Sequence, residues 1–400
     1  MQPEVRREYN RQFTQERYQA FKDTITQSVD HEPPFRIAET PVFIPKSLKY
    51  LLVEACGEIN QIVCDPNFKQ RTDDAIKHPT LKVPGEDYHT RFLQMDFGIC
   101  LDENGQLIPQ LIELQGFPSL YFFQELLSKS YREHFYIPDD YSVFVDDLDH
   151  RSYIELLRKV IVGDNDPENV VLLEVEPEKQ VTNIDFLRAH QLLGIKVLCI
   201  TKLKKEHKKL YYLDHKGRKI PVYKIYNRVI FDELNKRPDL KRAFYFKDEV
   251  DVEWVGHPNW FFRISKYIMP MLNGSRFVPQ CLYLDQLEKY PENLSDYVLK
   301  PLYSFAGSGV QLNVTPDLLD KLKDKGNYIL QKRVEYHPFP IAPDGEVKVE
   351  IRMLMIWEHG EPTARIVNNL VRLSKGAMIG VKYNKNKDWV GASVGFFEPS

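Results

Sequence analysis

No stretch of about 18 consecutive apolar residues occurs in the chain, so no segment reads as a membrane-spanning helix. The N-terminus (MQPEVRREYNRQF) is polar and lacks the apolar segment of a secretion signal. Cysteine is sparse. Cys56, Cys64, Cys100, Cys199 and Cys281 are widely spaced and odd in number, with no Cys-x-x-Cys pair and no Cys/His cluster at zinc spacing. This argues against a disulfide framework or a zinc ribbon, and the thiols read as buried in a reducing cytoplasm. Charge of either sign is nearly balanced. A formal net charge of −3 gives no polyanion-binding surface, and the lysine-rich segment 202–209 (KLKKEHKK) reads as a solvated loop. Nucleic acid is therefore not the expected partner. Internal repeats, a Walker loop and a GxGxxG turn are absent as well.

What is present is 400 residues of alternating helical and extended patterns, enough for two or three lobes around a cleft. Residues 1–34 read as a helical extension that stops at Pro33-Pro34, and a helix is expected over 48–63. In 35–149 the runs 97–101 (FGICL) and 107–114 (LIPQLIEL) flank Asp102-Glu103-Asn104-Gly105, a turn sequence with glycine where positive φ is cheap. Pairing about that turn brings Asp96 near Glu113 and Gln115. Residues 150–255 hold a β-α-β unit: an apolar run at 170–175, a helix over 183–193 behind Thr182 and closed by Gly194, then 196–201. That unit predicts a parallel sheet. In 256–400 the strands 297–301 (YVLKP), 328–334 and 349–357 (VEIRMLMIW) surround a small-residue loop, 304–309 (SFAGSG), and a helical turn at 318–323.

Several charged residues stand in apolar surroundings. Lys300 lies inside a strand directly before the loop bearing Ser304, Gly307, Ser308 and Gly309, where backbone N–H groups can approach phosphates. The alternative is a lysine snorkelling at a strand end beside a plain turn. Glu113 and Gln115 share one face of the return strand, and with Asp96 they supply hard oxygen ligands of the kind Mg²⁺ takes. A solvated hairpin face is the competing reading. Arg352, Arg365, Asn369 and Arg372 can donate to a transferring phosphoryl group or an oxyanion, or else form structural ion pairs. Arg228, in a strand with Tyr226 and Asn227, is a candidate for a substrate carboxylate or a surface ion pair.

Taken in order, these segments resemble the synthetase part of glutathionylspermidine synthetases, a family with a circularly permuted ATP-grasp fold. The family's metal hairpin corresponds here to Asp96, the turn 102–105 and the return segment 111–119 (LIELQGFPS). Its asparagine-lysine stretch, Lys-Pro-Leu strand, glycine loop and Asn-Asn-Leu-x-Arg segment correspond to Ser265-Lys266, Lys300-Pro301-Leu302, 304–309 and Asn368-Asn369-Leu370-Val371-Arg372. The likeness covers residues 35–400, the middle by layout only. It implies an α/β architecture of α+β lobes with a pre-ATP-grasp-like parallel-sheet domain at 150–255. It also implies that Lys266 and Lys300 hold ATP phosphates, with Gln331, Lys332 and Val334 on the hinge strand facing adenine. Asp96, Glu113 and Gln115 would hold Mg²⁺, and Arg352, Arg365 and Arg372 would contact the reacting groups. Arg91, Ser119, Arg228 and Asn369 are the candidate substrate contacts, Arg228 on the strand reading alone.

Two departures from the family stand out: Gln115 replaces its asparagine, and Gln94 replaces an arginine two residues before the metal aspartate, with Arg91 three residues further upstream. No separate amidase domain precedes the synthetase-like region, so the bifunctional form is not expected. The activity implied is joining a small-molecule carboxylate to an amine through an acyl phosphate, releasing ADP and phosphate, with the loop 304–309 as a mobile lid. The competing expectations are a small-molecule kinase and a nucleotide-binding module without catalysis.

Overall fold

The computed structural model describes residues 4–76, 82–231, 234, 236–304, 307–376, 379, 384 and 386–399. A five-stranded antiparallel sheet forms its frame, in the order Gly391–Ser393, Arg365–Ser374, Lys348–Ile356, Phe92–Leu101, Leu107–Gln115. The two long C-terminal strands thus lie between the chain's last segment and a hairpin some 250 residues earlier in sequence. The hairpin turn falls where Asp102–Gly105 predicted it, with Gly105 at φ 73°. Its register contains one informative irregularity. Leu101 pairs Leu107 and Phe97 pairs Leu111, a register that would set Asp96 opposite Ile112; a bulge between Asp96 and Phe97 sets it opposite Glu113 instead.

The parallel sheet expected in the middle of the chain is present. Its order is Glu253–Val255, Lys224–Asn227, Val170–Glu174, Lys196–Cys199, all parallel. The helix Asn183–Leu193 makes the crossover and ends at Gly194 in the left-handed region (φ 77°), although Thr182 makes no capping bond. The segment 202–209 departs from the expected loop: Lys204–Glu206 pairs with Lys209–Leu213, which pairs with Lys219–Val222. Lys219 on the third of these strands forms an ion pair at 2.5 Å with Glu206 on the first. A third sheet, Cys281–Tyr283, Tyr328–Lys332, Tyr297–Pro301, carries Lys300 and Gln331.

The N-terminal helices Glu4–Gln12 and Gln15–Val29 are not a loose appendage, since Tyr9, Tyr18, Phe21 and Ile25 are buried in the same core as the large sheet. Helix Lys46–Val63 buries Leu48, Leu52, Ala55 and Ile59 there too, at the predicted helical spacing. All five cysteines are free, with Cys56, Cys100 and Cys281 buried. Among the described residues no helix is long and apolar enough to cross a membrane.

The segment 82–90 leads into the first hairpin strand and is fastened by buried polar contacts. Arg263 bonds Glu86 at 2.5 Å and Asp73 at 2.8 Å, Asn259 donates to Glu86 at 2.8 Å, and Trp260 Nε1 donates to Asp87 at 2.5 Å. Burial raises the Asp87 carboxyl from 3.8 to about 6 and lowers His257 from 6.5 to about 4. The signs oppose. Asp87 binds more protons folded than unfolded between these values, so its term lowers stability as pH rises from about 4 to 6. His257 binds fewer, so its term is complete above pH 6.5 and is lost on acidification toward 4. Asp87→Asn should therefore unmask the histidine slope, making stability fall by on the order of 2 kcal/mol more than in the parent between pH 7 and 4.5. Urea unfolding at several pH values reads this directly, and an unchanged pH slope in the variant would refute it.

Candidate functional site

The central strand Lys348–Ile356 carries two charges inside an apolar run, Glu350 and Arg352, two residues apart and therefore on one face. Facing them is Asp96, and one strand further out is Glu113. Arg352 grips Asp96 bidentately, Nε to Oδ1 at 2.5 Å and Nη2 to Oδ2 at 2.6 Å. Its remaining nitrogen, Nη1, donates to Gln94 Oε1 at 3.0 Å, while Gln94 Nε2 donates to the Ser119 carbonyl at 3.1 Å. Arg372, from the neighbouring strand, donates to Asp96 Oδ2 at 2.6 Å and pairs with Glu350. Asp96 is 1% exposed.

On the other side of the hairpin Glu113 meets the lysines. Lys266 Nζ lies 3.1 Å from Glu113 Oε2 and donates to the Ser304 carbonyl at 2.7 Å. Lys300 Nζ donates to the Ile112 carbonyl at 3.0 Å. Ile112 is the residue the bulge leaves unpaired, so the same irregularity that aligns Asp96 with Glu113 frees a carbonyl for Lys300. Burial lowers the pKa of Lys300, opposed by Glu113. Burial alone would raise Glu113, but Lys266, Arg352, Arg372 and Lys300 outweigh it and hold the carboxyl well below its usual range. Burial raises Glu350 instead. Four cations and three carboxylates thus form one buried network.

Two cavities meet at this network. A small one is lined by Glu113, Gln115, Lys266, Ser265 and Ser304. A large one, about 630 Å³, is lined by Glu113, Gln115, Arg352 and Arg372 on one side and by Arg228, Glu174 and Gln180 from the parallel sheet on the other. Its remaining wall is largely apolar, including Phe117, Leu120 and Leu370. Arg228 is 4% exposed, sits 4.6 Å from the centroid of Phe117 and 5.4 Å from that of Phe186, and its Nε and Nη1 have no partner. Arg228 lines this cavity, while its unpartnered Nε and Nη1 are themselves shielded from solvent and the buried Asp185 carboxylate is its charged neighbour.

The structure thus brings together Asp96, Glu113, Gln115, Lys266, Lys300, Ser304, Arg352 and Arg372, with Ser119 and Arg228 in the adjoining cavity. It does not bring in Arg365, which is exposed at the far end of the strand from Arg372, a separation of roughly 23 Å at the usual strand rise. Asn369 is fully buried and structural, donating to the Val143 and Gly395 carbonyls and accepting from Gly395 N. Arg91 lies at the start of the hairpin strand, its carbonyl accepting from Trp357 N. Gln331 is buried, donating to the Leu111 carbonyl at 2.9 Å with its Oε1 unpartnered, whereas Lys332 is exposed and Val334 half-buried. Gly307 and Gly309 both have positive φ, and a side chain on Gly309 would meet Pro301 Cγ at 2.8 Å. Ser308 is exposed; Phe305 and Ala306 lie outside the described residues. Sequence reasoning missed Glu350, Glu174, Gln180 and the Gln94 clamp. The first two carried a signal, a carboxylate inside or ending an apolar strand.

The metal set Asp96, Glu113 and Gln115 is adjacent as expected, but both of its carboxylates are engaged. Both Asp96 oxygens are taken by guanidinium groups, and Gln115 Nε2 donates to Glu113 Oε1 at 3.1 Å. Among the described residues, no three histidine, cysteine or acidic side chains converge as a metal-ligand group. The three residues do not form a free Mg²⁺ site.

Neither a family model nor a curated protein matches the chain. Among solved structures it is similar to a glutathione synthetase-like effector from Globodera pallida in its apo form, with TM-score 0.60, 12% identity and 96% of each chain covered. A further match, a putative γ-glutamylcysteine synthetase from Methylobacillus flagellatus KT, has TM-score 0.36, 12% identity and 87% of each chain covered. At this identity the first likeness establishes a mixed α/β fold shared with a glutathione synthetase-like protein, and the second is too loose to add to it.

Proposed function

We propose that the chain is an ATP-dependent carboxylate–amine ligase of the circularly permuted ATP-grasp type. The observation that carries this reading is that the small cavity beside Lys266 and the Arg228 cavity share one wall, Glu113, Gln115 and Phe117. Lys266 and Lys300 would hold the nucleotide phosphates there, with Gln331 on the hinge strand. Arg352 and Arg372, on the wall of the larger cavity, would face the γ-phosphoryl group and the acyl carbon. A substrate acid anchored by its second carboxylate on Arg228 would attack the γ-phosphoryl group of ATP through its reacting carboxylate oxygen, breaking the β–γ bond and expelling ADP. The acyl phosphate so formed has a good leaving group, and attack by an amine at the acyl carbon releases phosphate and leaves an amide. The arginines neutralise charge that grows on the phosphoryl and tetrahedral oxygens, in a site from which apolar walls exclude water.

The test is ADP release measured against panels of acids and amines, with amide product identified by mass. Arg228→Gln should raise KM for the acid about 10- to 100-fold with nucleotide affinity unchanged. ATP binding with no turnover under any pairing would favour the second reading, a nucleotide-binding module without ligation. One observation favours that reading: the family's reacting-group arginine is Gln94 here, and Gln94 serves to fix Arg352.

A further inference from the structure

The four cations around the hairpin outnumber the carboxylates they touch, and the carboxylates are committed. Asp96 accepts from Arg352 and Arg372, Glu350 pairs with Arg372, and Glu113 pairs with Lys266. A Mg²⁺ ion bound by protein needs bare oxygens at about 2.0–2.1 Å in octahedral array. To reach Asp96 it would have to displace two guanidinium groups from a side chain that is 1% exposed, stripping Arg352 of its bidentate partner and leaving Arg372 with Glu350 alone. To reach Glu113 it would have to sit beside Lys266, with Arg352 4.0 Å from the same carboxylate. A polyanion meets the opposite situation. Phosphate oxygens can replace Glu113 on Lys266 and the Ile112 carbonyl on Lys300, turning an internal pair into a ligand pair.

We propose that this chain grips the phosphates of a nucleotide by its own cations, with Asp96 acting as the buried counter-ion of Arg352 and Arg372 and not as a metal ligand, so that nucleotide binding does not depend on a divalent cation. The inference rests on the nucleotide reading above and goes further by assigning Asp96 the role of a permanent counter-ion and Glu113 that of a placeholder for phosphate. Glu113 then competes with the ligand for Lys266. Neutralising it releases the lysine, whereas neutralising a true metal ligand removes a bond to the nucleotide's cation. The two roles predict opposite signs for one substitution.

Titration calorimetry of the full chain with a non-hydrolysable ATP analogue, in excess Mg²⁺ and again in EDTA, decides it, using the parent protein and Glu113→Gln. The expected result is affinities within about threefold of each other with and without metal, and binding in Glu113→Gln that is unchanged or tighter. Because Glu113 also counters Lys300, thermal unfolding of the variant accompanies the titration. If Glu113→Gln unfolds, the parent's comparison with and without metal decides alone. Binding that requires Mg²⁺ overturns the inference and leaves the nucleotide reading standing; a Glu113→Gln loss of tenfold or more, in a folded variant, does the same. Absence of binding in both conditions overturns both together.

Discussion

Lys300→Met should weaken binding of a non-hydrolysable ATP analogue by on the order of a hundredfold, about 3 kcal/mol, while changing folding stability by no more than about 1 kcal/mol. The two halves of this expectation have one cause. Lys300 is buried on the strand Tyr297–Pro301, and its ammonium holds a single fixed acceptor, the Ile112 carbonyl. Burial lowers its pKa, which means the charge costs the fold something in the absence of a ligand. Methionine keeps the stem volume and removes that cost, at the loss of one hydrogen bond. Calorimetric titration and a melting curve on the same sample check both halves. An unchanged affinity would remove the phosphate assignment, and a large loss of stability would make Lys300 a structural residue.

The second large effect is on the fold itself. Arg352→Met should destabilise the protein by about 3–5 kcal/mol, because it strips Asp96 of its bidentate partner and leaves Gln94 Oε1 without its donor. Asp96 would retain only Arg372, which it shares with Glu350. Adding Asp96→Asn to Arg352→Met should recover a substantial part of the loss, since an uncompensated buried carboxylate is what the single change creates. Urea unfolding of parent, both single variants and the double variant gives the coupling. Losses below about 1 kcal/mol for Arg352→Met would show that Asp96 reaches solvent or another cation, against its burial here.

Much of the local structure could be read from residue order alone. The turn at Asp102–Gly105, the helix closed by Gly194 and the β-α-β unit depend on interactions within a few residues, and they appear where the sequence places them. Lys300 and Glu113 were legible for a related reason, since a charge embedded in an apolar strand must find a partner somewhere, whereas Asp96 came from the hairpin pairing and Lys266 from the family resemblance. The partner itself was not legible. Lys266 and Glu113 are 153 residues apart in sequence, and Asp96 and Arg352 are 256 apart.

Arg365 and Asn369 lie away from the charged cluster that holds Arg372, although all three share one strand. A strand advances about 3.3 Å per residue, so membership of one segment does not put side chains in one place. Whether Asp96 faces Glu113 or Ile112 turned on a single bulge, which no pattern in the hairpin sequence announces.

By itself, then, the sequence determined which elements form and which residues carry charges that burial cannot leave alone, because periodicity, turn chemistry and desolvation act locally. Only the tertiary structure decided who pairs with whom. It gave Asp96 to two arginines and Glu113 to a lysine, and it set Arg228 on the wall of a cavity between two aromatic rings. Those outcomes depend on strand order and register across the whole chain, where the energy of a charge is set by neighbours that residue order does not bring near it.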